Sequence, residues 1–162
     1  MNSPVKDRIR MVVFLVERQR YGLPLEIVER ILRAVEVTPL PQAPEIVLGA
    51  IDVEGRVLPV LNLRRRLGLP ERTIEPIQQL VLAQTARRTV VLVIDEVVEV
   101  AEMPETGIVE PAQVAPGLEH LRGVAQLADG LVLIYDLERF LSLEEECALD
   151  RALEEEEATD AR

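Results

Sequence analysis

The 162-residue sequence has one histidine, one cysteine, two serines and no tryptophan, and its aromatic content is only 2%. Each shortage excludes a kind of chemistry. A lone cysteine, Cys147, rules out an internal disulfide framework, so the cytoplasm is the expected compartment. One histidine and one cysteine cannot supply the four nitrogen or sulfur ligands of a structural zinc site. A nucleophile would need His120 to meet Ser3, Ser142 or Cys147; Ser3 lies in the polar start and Ser142 is better used as a helix cap. None of the eight glycines falls in a phosphate-cradling GxGxxG or GxxxxGK pattern. Positive charge is also short: the formal net charge is −11, and a nucleic-acid binder's basic stripe is missing. No apolar run approaches the roughly 20 residues that span a bilayer, and no apolar stretch follows the polar start as in a secretory signal. The expectation is a protein without catalytic residues, cofactor or metal, with no nucleic-acid partner and no membrane insertion.

What remains is apolar and β-rich. Hydrophobic residues make up 48% of the chain, enough for a real core. Met11–Val16, Gln79–Gln84, Val90–Ile94 and Leu131–Tyr135 are strand-length runs rich in Val, Leu and Ile. The charged stretch Glu17–Arg20 and the tripeptide Ala86–Arg88 read as hairpin turns. Eleven prolines argue against long helices before the tail. Carboxylates are plentiful, but they read as solvated charge and helix caps rather than as a glycosidase pair.

An internal repeat organises the chain. Gly49–Leu67 aligns without a gap on Gly123–Leu141 at an offset of 74, bringing Gly49 onto Gly123, Leu63 onto Leu137 and Arg65 onto Arg139. Each copy reads as strand, turn, strand and one helical turn, with Asn62 or Asp136 as N-cap and Gly68 as the stop of the first copy. The repeat predicts two similar β lobes over about residues 22–84 and 85–141, the first strand closing the structure. Residues 142–162 carry nine acidic and two basic side chains. There Ser142 and Glu145 fit a capping box, and a helix is predicted over about 143–154, fraying in the acidic run beyond.

Three segments carry a resemblance. They are Tyr21-Gly22-Leu23-Pro24-Leu25 with Ile27–Ile31; Thr38–Ile51 with Gly55–Arg64; and Val91–Val97 with Leu121–Val124 and Gly130–Val132. Together they resemble the CheW-like domain of bacterial chemotaxis over residues 11–141, with 142–162 left as an acidic helix and tail. The middle segment, with its Pro-x-Ala-Pro, Gly-x-Ile and Pro-Val-x-x-Leu-Arg run, is the specific one.

The resemblance implies a mainly β fold of two intertwined five-stranded SH3-like barrels with a C-terminal helix. It implies a non-enzymatic stand-alone adaptor in the cytoplasm, recruited to membrane receptor arrays. The partners would be a chemoreceptor's cytoplasmic helical tip and the regulatory domain of a CheA-type histidine kinase. The alternatives are an adaptor of a pilus or developmental pathway, or a small-ligand-binding β-barrel sensor. The implied receptor-facing residues are Leu25, Val28, Arg30 and Glu54; Val37 and Leu40, on the neighbouring strand, would face the kinase. The family usually has glutamate where this chain has Arg30, and Leu-Arg-Gly where it has Val53-Glu54-Gly55. Arg30 and Glu54 are therefore expected to approach each other as a pair of reversed polarity, suited to a partner with a reversed charge pattern.

Overall fold

The computed structural model describes residues 8–110 and 121–160, with side chains described to residue 156. Its strands are β1 (Arg8–Val16), β2 (Gln19–Pro24), β3 (Val28–Arg33), β4 (Val47–Val53), β5 (Arg56–Leu61), β6 (Gln79–Gln84), β7 (Thr89–Ile94), β8 (Glu96–Pro104), β9 (Ile108–Val109), β10 (Leu121–Leu127) and β11 (Gly130–Tyr135). The helices are α1 (Leu63–Leu67) and α2 (Leu143–Asp160), with single 3-10 turns at Leu25–Ile27, Glu105–Gly107 and Leu137–Arg139. The tight hairpins form where the polar turns predicted them. Glu17 and Arg18 both take positive φ between β1 and β2, and Glu54-Gly55 does the same between β4 and β5. In the latter turn Asp52 Oδ1 accepts from the Gly55 N–H at 2.8 Å.

The strands form two sheets, ordered β8-β1-β2-β11-β10-β9 and β3-β6-β7-β5-β4. The predicted repeat maps onto this arrangement residue by residue. Adding 74 to β4 and β5 gives the bounds of β10 and β11. In both sheets the second repeat strand pairs in parallel with a hairpin strand: β5 with β7, and β11 with β2. The third strands are exchanged. After the β1–β2 hairpin the chain crosses to the other sheet as β3, and after β6–β7 it crosses back as β8. This exchange intertwines the two sheets.

The expected mainly β fold of two intertwined units with a C-terminal helix is what forms, with six strands in one sheet and five in the other; among the described residues each unit is open at one seam, since no pairing joins β3 to β4 or β8 to β9. The sheets also divide the chain differently from consecutive lobes meeting at residue 84. That position lies at the end of β6, and the Ala86–Arg88 turn keeps β7 beside β6.

Both sheets contribute to one shared core, which includes Phe14, Tyr21, Leu61, Leu92, Tyr135 and Phe140. Each sheet also has a smaller cluster on its other face, one around Met11, Val13 and Ile134, the other around Ile51, Leu80 and Val91. Hence Met11–Val16 of β1, Leu80–Ala83 of β6 and Val90–Ile94 of β7 are apolar without a break: both of their faces are covered. A polar tie reinforces the crossing. Asp95 follows β7 and accepts from the Glu17 N–H at 3.0 Å and from Gln78 Nε2 at 3.1 Å, with the buried Arg64 guanidinium 3.6 Å away.

The helical caps also follow the sequence. Asn62 accepts from the Arg65 N–H, Asp136 from the Glu138 N–H, and Gly68 ends α1 in the left-handed region. Ser142 and Glu145 bond reciprocally at the start of α2. Instead of fraying after residue 154, α2 continues to Asp160, as its Ala, Leu and Glu content favours. Leu149, with no exposed surface, anchors it in the shared core, and Arg66, Arg87 and Arg88 hold its acidic side.

Candidate functional site

The start of β3 faces the β4–β5 turn. β3 is an edge strand paired only with β6, and its register shifts between Val28 and Arg30. This bulge is the local device that aims neighbouring side chains, Glu29 and Arg30, at the turn. Arg30 Nη1 lies 3.2 Å from Glu54 Oε1. The two side chains expected to approach therefore do so, and both are open to solvent, at 44% and 74% exposure.

A second pair, which sequence reasoning missed, stands beside the first. Arg56, at the start of β5, donates from Nη1 to Glu29 Oε1 at 2.8 Å. Arg56 Nη2 also donates to Thr89 Oγ1 at 2.9 Å, and the Thr89 hydroxyl lies 3.4 Å from Glu29 Oε2. Thr89 is 7% exposed, so the pair stands on a nearly buried base. The hydrogen bond from Arg56 holds the Glu29 carboxyl below its ordinary value against partial desolvation, helped by the charges of Arg56 and Arg30 and by Thr89. The same bond raises the Arg56 guanidinium, with Glu54 adding to it. The signal available in the sequence was the alternation Glu29-Arg30 against Glu54-x-Arg56.

Of the apolar candidates, Leu25 sits in the 3-10 turn between β2 and β3, partly buried. Val28 opens β3 and packs against the shared core. Val37 and Leu40 do not lie on a strand. They belong to the connection 34–46, whose contact with β4 is an isolated bridge from Thr38 to Ala50. Leu40 is 8% exposed and belongs to the core, while Val37 is partly exposed. Prolines 39, 41 and 44 explain the difference, since they interrupt a ladder. Val37 instead lines an open apolar groove of about 410 Å³ with Ala34, Val35, Ile74 and Pro76. Next to Pro76, Ile77 is 80% exposed. This groove too was missed, because Ile74 and Pro76 lie far from Val37 in sequence.

The other chemistry-bearing residues are placed structurally. Tyr21 and Tyr135 are core residues, and burial raises both phenols above their ordinary value. Ser142 is a cap and Cys147 is exposed on α2. His120 lies outside the described residues. No group of three or more potential metal ligands occurs among the described residues, and among them no helix is long and apolar enough to cross a membrane. A cavity of about 180 Å³ beside Met11, Ile108 and Ile134 is smaller than the ~300–1,000 Å³ of typical ligand pockets.

Comparison with known proteins agrees with this architecture. A family model described as the CheW-like domain matches residues 10–145. The chain is 37% identical over 114 residues to protein FrzA of Myxococcus xanthus, covering 70% of this chain and 71% of that one. It is 24% identical over 145 residues to the chemotaxis protein CheW of Treponema pallidum, covering 86% and 85%. Among solved structures, the scaffolding protein TtCheW from Thermoanaerobacter tengcongensis superimposes with a TM-score of 0.76 at 25% identity, covering 85% of this chain and 90% of that one.

Proposed function

Because the chain belongs to the CheW-like domain family, we propose that it is a non-enzymatic chemotaxis adaptor that couples chemoreceptors to a CheA-type histidine kinase. The match over residues 10–145 carries this reading, since it takes in both sheets, their crossing and the start of α2. A scaffold needs exposed, shape-specific surfaces rather than a reaction centre. The edge of β3 with its paired charges is one such surface, and the groove beside Val37 is another.

The receptor's helical tip is assigned to the first surface, through Leu25, Val28, Arg30 and Glu54. The kinase's regulatory domain is assigned to the second. There Val37 contributes contact area, while Leu40 anchors the connection in the core and so positions Val37. Recruitment to receptor arrays at the membrane follows from these two contacts.

The test is a pull-down of the tagged protein from its native lysate, with mass spectrometry of what is retained. Recovery of a CheA-type kinase and a chemoreceptor is expected. Arg30→Glu should lose the receptor and keep the kinase, and Val37→Asp should do the reverse. Recovery of neither partner, from a lysate shown to contain both, would mean that the fold serves another purpose.

A further inference from the structure

Glu29, Arg30, Glu54 and Arg56 form a closed ring of alternating charge. Two sides of the ring are direct contacts, Arg30–Glu54 at 3.2 Å and Glu29–Arg56 at 2.8 Å. The other two are electrostatic: Arg30 helps to stabilise the Glu29 carboxylate, and Glu54 helps to stabilise the Arg56 guanidinium. The ring is not symmetric. The inner pair, Glu29–Arg56, stands on the Thr89 hydroxyl at the sheet surface. The outer pair makes no further side-chain hydrogen bond or close ion pair among the described residues, and Glu54 sits on a turn tip at 74% exposure. Glu54, the most exposed of the four, would be met first by a docking surface, while the contacts to Thr89 hold Arg56 and Glu29 in place.

We propose that Glu29 and Arg56 are specificity-determining positioning residues: this pinned pair fixes the polarity of Arg30–Glu54, and thereby selects a helical partner surface that offers a basic side chain to Glu54 and an acidic one to Arg30. The reason is electrostatic. Reversing only the outer pair would set a glutamate at 30 beside Glu29 and an arginine at 54 beside Arg56, turning two attractive sides of the ring repulsive. Reversing all four restores alternation. Polarity is thus a property of four residues rather than two, and like-charge juxtaposition at an interface is what rejects wrong partners. On a helix, an acidic and a basic residue three or four positions apart lie on one face at a spacing of about 5–6 Å and would meet the outer pair together. The partner side of this inference rests on the receptor-docking reading above.

The experiment compares the full chain with an outer swap (Arg30→Glu, Glu54→Arg) and a four-position swap that adds Glu29→Arg and Arg56→Glu. The probes are the helical-hairpin fragment of the receptor and a version whose facing acidic and basic residues are exchanged. The four-position swap is expected to bind the exchanged fragment at least about ten-fold more tightly than the outer swap does, a difference of ~1.4 kcal/mol. Equal binding by the two swaps would overturn the proposal.

A partner-free measurement runs alongside, the NMR titration of the Glu29 carboxyl in the wild-type chain and in the outer swap. Its midpoint should rise in the outer swap, as Arg30's attraction gives way to repulsion. An unmoved midpoint would overturn the ring itself. If the wild-type chain binds no receptor fragment, the receptor reading fails, and the Glu29 titration still decides whether the inner pair controls the outer one.

Discussion

Gly49 and Gly123 stand 74 residues apart and do the same work in the two sheets. Each follows a break in register in the first repeat strand, and each lies against a segment that pairs with that strand, Ile108–Val109 in one sheet and Thr38 in the other. A Cβ at Gly49 would come within 2.2 Å of the Thr38 carbonyl oxygen, and one at Gly123 within 2.3 Å of Ile108 Cγ2. Gly49 also has φ +157, where an L side chain is strained. The repeat thus preserves a close approach as well as a pattern of apolar residues.

Gly49→Ala is accordingly expected to cost more stability than Gly123→Ala. The first clashes with backbone that is bonded in both directions between Thr38 and Ala50, while the second meets a side-chain methyl group first and has no φ strain. A loss of about 1–3 kcal/mol is expected for Gly49→Ala, and less for Gly123→Ala. Urea unfolding of both variants checks the order.

Leu149 has no exposed surface, and with Ala152 it seats α2 in the shared core. Leu149→Ala should cost about 2–5 kcal/mol through lost burial and the cavity left behind. Hydrogen exchange should then rise along α2 ahead of the central strands. Protection of α2 equal to that of the wild type would show that its ion pairs alone hold it.

The start of α2 should respond to acid. Burial pushes the Glu145 carboxyl up, but the Ser142 N–H and hydroxyl together with Arg66 outweigh it and hold the group below its ordinary value. A carboxyl with a lowered folded value contributes stability above its unfolded value, roughly pH 4.3, and that contribution is lost as pH falls through the folded value. Thermal unfolding from pH 6 to 3 should therefore show a shallower acid loss for Glu145→Gln than for the wild type. Parallel curves would refute the assignment.

Arg30→Ala should barely change stability, by about 0–1 kcal/mol, since the ion pair it breaks is exposed. Receptor binding should nonetheless fall and become less sensitive to salt. If melting temperature and receptor binding fell in proportion, Arg30 would be a structural residue only.

The extent to which all this was legible in the sequence follows from the range of the forces involved. Local rules act over a few residues, so the Glu17–Arg18 turn, the Asn62 and Asp136 caps, and the Ser142–Glu145 box were readable directly. The repeat was readable because a duplicated sequence keeps its strand bounds, and the family resemblance supplied the expectation that Arg30 meets Glu54. Tertiary structure alone decided what depends on register and crossing. The exchange of β3 and β8 placed β3 beside β6 and β8 beside β1, and it brought Glu29 over Thr89 across 60 residues of chain, next to Arg56. The burial of Leu40 and the groove joining Val37 to Ile74 belong to the same class. Hydrophobic periodicity says that a side chain is to be covered; which distant segment covers it is set by sheet pairing, and that is a property of the folded chain.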